Sequence, residues 1–461
     1  MATDIWSSFG FSGNPYQATP LRPTADDYNL FIGREDTGIE FRTQVESDNG
    51  CVTVISGDVG VGKTSLFNIQ QYLLFTGQGG FGPRLVPALE LTPLDGEDTS
   101  NSLARRVVHN AVQSLEQFCR EQRLKIPKQI GKIQKWLSNK GSAAGFDFGL
   151  QILGNGGNIA MSFDAPPVSE ASLENWRDVL RVIAGEVRQS LKYDGLFVAL
   201  DNAENVENER LAEMLMSFRD TLFTTEGVWW VVIGQSGLYS LIDSTDKRIS
   251  QRIQGTGLEI EPLSADELHA AIERRVQRFR SRPEAVSPIS SEVHARLYKA
   301  SRGEIRFVLK TSDALVRRIV TDIRVQASEM ASPKKGGGVN KQLESLFMEI
   351  LTEQLIEGQL PDAVVEMSLR ELTYRALHDL RLRRKEIEVL RDIGGDEARA
   401  SDHEKFRVKS MQDFSSNYLT RLFKSNLLHR RQAGRAVYYS LRGFAALAHQ
   451  FGIYQRLLTE V

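Results

Sequence analysis

The stretch Gly57-Asp58-Val59-Gly60-Val61-Gly62-Lys63-Thr64 constrains this chain more than any other. It reads G-x-x-x-x-G-K-T, follows the apolar run Cys51-Val52-Thr53-Val54-Ile55-Ser56, and opens a helical pattern that begins at Lys63. Glycines let the backbone turn sharply from strand to helix, so that several N–H groups converge on one point. That arrangement suits a polyphosphate. The N–H groups from Gly57 to Ser65 would wrap phosphate oxygens, and Lys63 would reach the β- and γ-phosphates. The Thr64 hydroxyl would ligate Mg²⁺ at a helix N-terminus that favours negative charge.

A phosphate loop of this kind implies a parallel sheet, and the text that follows alternates accordingly. After the helix come Arg84 to Leu91 as a strand, a helix from about Ser100 to Arg123, and two short apolar strands, Leu196 to Leu200 and Trp229 to Ile233, each preceded by helical text. Strands alternating with helices predict an α/β fold with a parallel sheet covered on both faces. The carboxylate that steadies the metal should end a later strand of the same sheet, and Asp201 does so. The next residue, Asn202, is not acidic, so Glu204 is the candidate base that activates water; the alternative is that Glu204 faces solvent and hydrolysis is slow or lost.

Bulk properties narrow the remaining classes. With 41% hydrophobic and 25% charged residues the chain is an ordinary globular protein, long enough at 461 residues for two or three cores. Lys+Arg 57 against Asp+Glu 59 gives a formal charge of -2, so contact with nucleic acid requires a local basic patch. Two cysteines, Cys51 and Cys119, make neither a disulfide framework nor a zinc site. The first nine residues do not read as a secretory signal, and the apolar run Val228 to Gly234 is far too short to span a bilayer, so a cytoplasmic protein without a membrane partner is expected.

Residues 1–50 read as an irregular strap and 51–260 as the nucleotide core, with an insertion at about 122–165. Within that insertion six Lys or Arg, at 123, 125, 128, 132, 135 and 140, occur with no acid between Gln122 and Gly145, and Trp136 lies among them. Lys128, Lys132 and Lys135 share a helical face, either as a contact for a DNA backbone or a partner, or as a solvated surface. Phe146, Phe148, Leu150 and Ile152, then Asn155-Gly156-Gly157, then Ile159, Met161 and Phe163 predict a β-hairpin. Residues 261–328 read as a helical lid and 329–342 as a linker that contains Ser332-Pro333-Lys334-Lys335-Gly336-Gly337-Gly338.

Residues 343–461 form a third unit that ends in a winged-helix pattern. Phe414 to Lys424 looks like a recognition helix opened by a serine cap, and Leu427 to Leu441 looks like two strands around a basic wing. From Phe414 to Val461 there are seven Arg or Lys against the single acid Glu460, a local charge near +6. Arg421, Lys424, Arg430, Arg431 and Arg435 are the candidate contacts to double-stranded DNA, although winged helices also bind proteins.

Taken with Asn14-Pro15-Tyr16, Phe31-Ile32-Gly33-Arg34-Glu35, the phosphate loop and Asp201, the chain resembles AAA+ ATPases of the origin-recognition and helicase-loader branch, with overlap toward STAND signalling ATPases. The resemblance covers roughly residues 14 to 325 and, more loosely, the C-terminal unit. It implies ATP rather than GTP, with Phe31, Ile32 and Gly33 against adenine, and no guanine-reading N-K-x-D follows the last core strand. It implies a polar sensor at Gln235 or Ser236 and an arginine finger at Arg252 within Arg248-Ile249-Ser250-Gln251-Arg252-Ile253. It also implies a γ-phosphate-sensing Arg306 in Gly303-Glu304-Ile305-Arg306-Phe307. A finger implies a homo-oligomer. The resemblance therefore implies an ATPase that assembles on DNA and recruits or loads a protein partner, as in replication initiation or a transposition regulator. The other reading is a STAND-like signalling or antiviral-defence switch with slow turnover.

Overall fold

A computed structural model of the chain describes residues 5–47, 50–138, 146–154, 157–331, 359–433 and 436–460. Arg435, Lys140, the hairpin turn at Asn155-Gly156 and the Ser332–Gly338 linker lie outside them.

The chain divides into two compact units, Pro20–Glu261 and the pair Met1–Thr19 with Pro262–Val461. The first fifty residues, read as one strap, thus contribute to both. Trp6, Phe9, Phe11 and Tyr16 are buried in one core with Leu268, Ile272, Leu297 and Leu315 of the helices Ala265–Phe279, Ser291–Ala300 and Ile305–Ala331. Asn14 fixes this docking, because its Nδ2 donates to Asp313 at 3.0 Å while its Oδ1 accepts from the Tyr16 N–H at 2.8 Å.

The unit Pro20–Glu261 is an α/β domain. Its strands are β1 (Val52–Gly57), β2 (Leu85–Val86), β3 (Thr92–Pro93), β6 (Gly195–Asp201), β7 (Val228–Gly234) and β8 (Leu258–Ile260), and β4 (Phe146–Gly154) with β5 (Gly157–Ala165) forms a separate hairpin. The order is β2-β6-β7-β1-β8, with β3 also on β6, and every pair in the sheet is parallel. β1 and β7 are buried along their whole length, as a parallel sheet covered on both faces requires.

Of the strand expected over Arg84–Leu91 only β2, Leu85–Val86, forms, and β3 follows beyond it at Thr92–Pro93. Pro87 has no N–H to give a ladder, and the chain leaves the sheet there and returns at Thr92. The edge strand β8 carries no three-residue pattern that a sequence could reveal. In the hairpin, Phe148 pairs with Phe163, Leu150 with Met161 and Ile152 with Ile159 in the strand register.

The other unit ends in helices Asp362–Asp379 and Arg384–Ile393, a helical stretch from Met411 to Lys424, and the antiparallel pair β9 (Leu428–Ala433) and β10 (Ala436–Leu441). Ala398 bridges Tyr439 beside that pair. The serine cap lies earlier than the sequence suggested. Ser410 accepts from the Asp413 N–H at 3.1 Å, which starts the helix at Met411 instead of Phe414.

Candidate active site

β1 is an interior strand of the sheet, between β7 and β8, and the loop after it can close only with glycine. Gly57 has φ +152°, and a Cβ there would lie 2.7 Å from the Ile260 carbonyl oxygen. Gly62, at φ +105°, is the N-cap of the helix Lys63–Thr76. Lys63 Nζ donates to the carbonyls of Gly57 at 2.8 Å and Asp58 at 2.9 Å, so the loop is folded around its own lysine. Asp58, Gly60, Gly62, Lys63, Thr64 and Ser65 are half-buried, Val59 is exposed and Val61 is buried.

Two supports of the loop come from the segment before β1. Arg34, which is buried, donates from Nη2 to the Val61 carbonyl at 3.0 Å. The Ser65 hydroxyl accepts from the Leu21 N–H at 3.1 Å. Phe31 is half-buried against Leu21, Leu30 and Ile69 of the helix that follows the loop, with Ile32 and Gly33 beside it. Phe31, Ile32 and Gly33 are therefore continuous with the phosphate loop through Arg34.

Strand register brings the other candidates to the same edge. Ser56 pairs with Gly234 in β7, and Leu200 pairs with Val232, so Asp201, Gly57 and Gly234 end adjacent strands on the carboxyl side of the sheet. That edge is where ligands bind in open parallel sheets. Asp201 Oδ1 accepts from the Asn202 N–H at 2.9 Å, and Asn202 sits at φ +58°. The turn this creates buries Ala203 and carries Glu204 back toward β7.

A Cβ on Gly234 would lie 2.9 Å from Ala203 Cβ and 3.6 Å from Glu204 Oε2, so Glu204 is packed against the strand end from which exposed Gln235 emerges. Glu204 Oε2 is buried and has no hydrogen-bond partner among the described residues. A buried carboxylate oxygen without a partner costs stability, and such groups recur where a ligand or water completes them. This orphaned oxygen, the positive-φ glycines and the Lys63-Thr64 pair fit Mg²⁺-bound nucleotide. Thr64 and Asp201 would hold the ion, which would neutralise phosphate charge.

Sequence reasoning did not find Glu259. Its Oε2 accepts from Ser56 Oγ at 2.6 Å and from the Gly237 N–H at 3.3 Å, tying β1, β8 and the turn after Gln235 together. Only the pairing of β8 with β1 reveals it, and that pairing is non-local.

Arg252 lies elsewhere. Ile253 bridges Val52, the first residue of β1, and Gln254 N–H donates to the Val52 carbonyl at 2.8 Å. Exposed Arg252 therefore stands at the amino edge of the sheet, five strand residues or about 16 Å from its own Gly57. Arg248 is held by Asp246 at 2.9 Å, and that pairing keeps the Asp246 carboxyl below its ordinary range; Arg252 has no ion pair among the described residues. Arg306 belongs to the other unit, half-buried at the start of the helix Ile305–Ala331. Beside it, buried Glu304 pairs with Arg442 at 2.8 Å; burial pushes the Glu304 carboxyl up and Arg442 opposes that shift.

The C-terminal basic segment is much less cationic than its local count. Arg421 pairs with buried Glu386 at 3.0 Å, Arg431 with Glu397 at 2.6 Å, Arg442 with Glu304, and Arg456 with Glu371 at 3.5 Å and Glu460 at 3.4 Å. Four of these acids precede Phe414 in the sequence, so counting from Phe414 onward missed them. Lys424 and Arg430 are exposed and have no ion pair among the described residues.

No family model matches the chain, and no curated protein matches it significantly. Among solved structures it is similar to the Aeropyrum pernix ORC1 protein in complex with DNA, at 14% identity over 95% of this chain and 97% of that one, with a TM-score of 0.44. It is similar to the Aeropyrum pernix ORC2 protein in ADPNP and ADP complexes, at 14% identity over 93% and 94% of the two chains, with a TM-score of 0.41. Cdc6p from Pyrobaculum aerophilum is similar at 11% identity over 99% and 98%, with a TM-score of 0.36. At these scores the functional reading rests on the residues of this chain.

Proposed function

We propose that the chain is an ATP-binding and ATP-hydrolysing AAA+ ATPase of the origin-recognition and helicase-loader kind. In this reading it assembles as a homo-oligomer on double-stranded DNA and recruits or loads a protein partner. The observation that carries the reading is the phosphate loop on interior β1, with Asp201 and Gln235 at the ends of adjacent strands and the orphaned carboxylate of Glu204 packed beside them.

In this mechanism the loop N–H groups and Lys63 hold the phosphates, and Thr64 and Asp201 hold Mg²⁺. Glu204 accepts a proton from the attacking water, and Gln235 orients that water or the γ-phosphate. Arg252 stabilises charge at a neighbouring copy's phosphates, and Arg306 reports the γ-phosphate to the helical unit. The C-terminal helix Met411–Lys424 with β9 and β10 serves as a winged helix, with Lys424 and Arg430 as its accessible cations.

One observation favours the signalling alternative. The residue after Asp201 is Asn202, and the carboxylate that could serve as base is reached only through a positive-φ turn. Steady-state ATP hydrolysis with and without duplex DNA, beside a Lys63→Ala control, separates the two. Turnover that is lost in the variant and raised by duplex DNA is expected; weak turnover indifferent to DNA would move the chain to the signalling class.

A further inference from the structure

The helix Lys128–Ser138 is amphipathic in an unusual way. Ile130, Ile133, Trp136 and Leu137 are buried in the main core of the α/β unit, and Trp136 Nε1 donates to the Pro166 carbonyl at 2.9 Å. Trp136, which the sequence places among the cations, is therefore an anchor and cannot stack on a partner. The exposed face carries Lys128, Lys132 and Lys135, and exposed Arg123 and Lys125 precede it, with Arg123 at φ +56°. None of these five cations has an ion pair among the described residues.

We infer that this face is a contact for the phosphate backbone of duplex DNA, made by the ATPase unit itself. The inference rests on the proposed DNA-linked function and adds a second, more strongly charged contact to it. Cations already paired with carboxylates must give up that pairing to meet a phosphate, whereas unpaired ones keep their full field. Lys128 to Lys135 span seven residues, about 10 Å of helix, a length of duplex axis over which one strand carries about three phosphates. Leu124 is the one large apolar side chain exposed along this stretch. A protein interface would ordinarily bury an apolar centre, whereas a phosphate contact needs none. The anchoring tryptophan and isoleucines hold the cations on a rigid element, so little ordering is required on binding.

The test compares the full chain with the variant Lys128→Gln/Lys132→Gln/Lys135→Gln on a mixed-sequence duplex, with affinity followed against salt. Losing three phosphate contacts should weaken binding at least about tenfold near 0.1 M salt and lower the slope of log affinity against log salt by about 3. The exposed substitutions should leave the melting temperature within roughly 2 °C, which keeps a folding failure distinguishable. A Lys424→Gln/Arg430→Gln variant serves as counterpart and should lower the slope by about 2 at most. Unchanged affinity and slope in the triple variant, with the parent protein binding duplex normally, would overturn this inference alone. A parent protein that binds no duplex in any nucleotide state would overturn the DNA-linked function with it.

Discussion

At the carboxyl edge of the parallel sheet, Gly57, Asp201 and Gly234 close adjacent strands around a glycine-rich loop, and Glu204 and Gln235 converge on the same place. At the amino edge, Ile253 pairs with the first residue of β1 and presents exposed Arg252 to solvent. The polar groups at the first edge are engaged with one another through Lys63, Asp201, Ser56 and Glu259, whereas Arg252 has no ion pair among the described residues. A strand of fixed rise separates the two, so no side-chain rotation can bring Arg252 to its own loop. Under the proposed function, one edge would hold a nucleotide and the other would complete a site that belongs to another copy.

Four substitutions break or sharpen this contrast. Lys63→Ala removes the charge that the carboxyl edge is folded around, and nucleotide binding and hydrolysis should fall by about 10³-fold or more; a fluorescent ATP analogue reads the binding. Arg252→Ala should lower turnover by about 10³-fold with ATP affinity unchanged, because a finger acts on the transition state. An equal loss of affinity would mean that Arg252 supports the fold of its own subunit. Glu204→Gln should lower hydrolysis by about 10²-fold and trap ATP, which rapid filtration would detect; normal hydrolysis would remove Glu204 as the base.

The smallest effect is expected from Arg34→Ala. Loss of its hydrogen bond to the Val61 carbonyl should weaken nucleotide binding by about tenfold, the equivalent of roughly 1–1.5 kcal/mol, without changing turnover at saturation. A fall in saturated turnover instead would show that the loop's shape, and not its occupancy, depends on Arg34.

The carboxyl edge was largely legible in the sequence because its determinants are local. A G-x-x-x-x-G-K-T after an apolar strand dictates a turn, and Asp201 ends a strand that any hydropathy pattern reveals. What escaped is non-local. Glu259 acts through β8, three residues long, and Arg34 acts across 27 positions on a carbonyl. The two basic stretches show the same limit. Both look cationic when counted along the chain, but Glu386, Glu397, Glu304 and Glu371 fold back onto the C-terminal one. Charge counted by sequence window measures a patch only where the acids that neutralise it lie within the window. Trp136 failed for a related reason: at i+4 from Lys132 it reads as part of the basic face, whereas in the fold its ring is buried in the core and Nε1 donates to the Pro166 carbonyl.

The central claim is that each subunit holds a nucleotide at one edge of its sheet and finishes a neighbour's site from the other. Mixing the Lys63→Ala protein with the Arg252→Ala protein, each inactive alone, tests this directly. Steady-state ATP hydrolysis that reappears in the mixture is the predicted result, since the intact loop of one variant then meets the intact Arg252 of the other. A mixture as inactive as its parts, in preparations shown by sedimentation to have exchanged subunits, would contradict it.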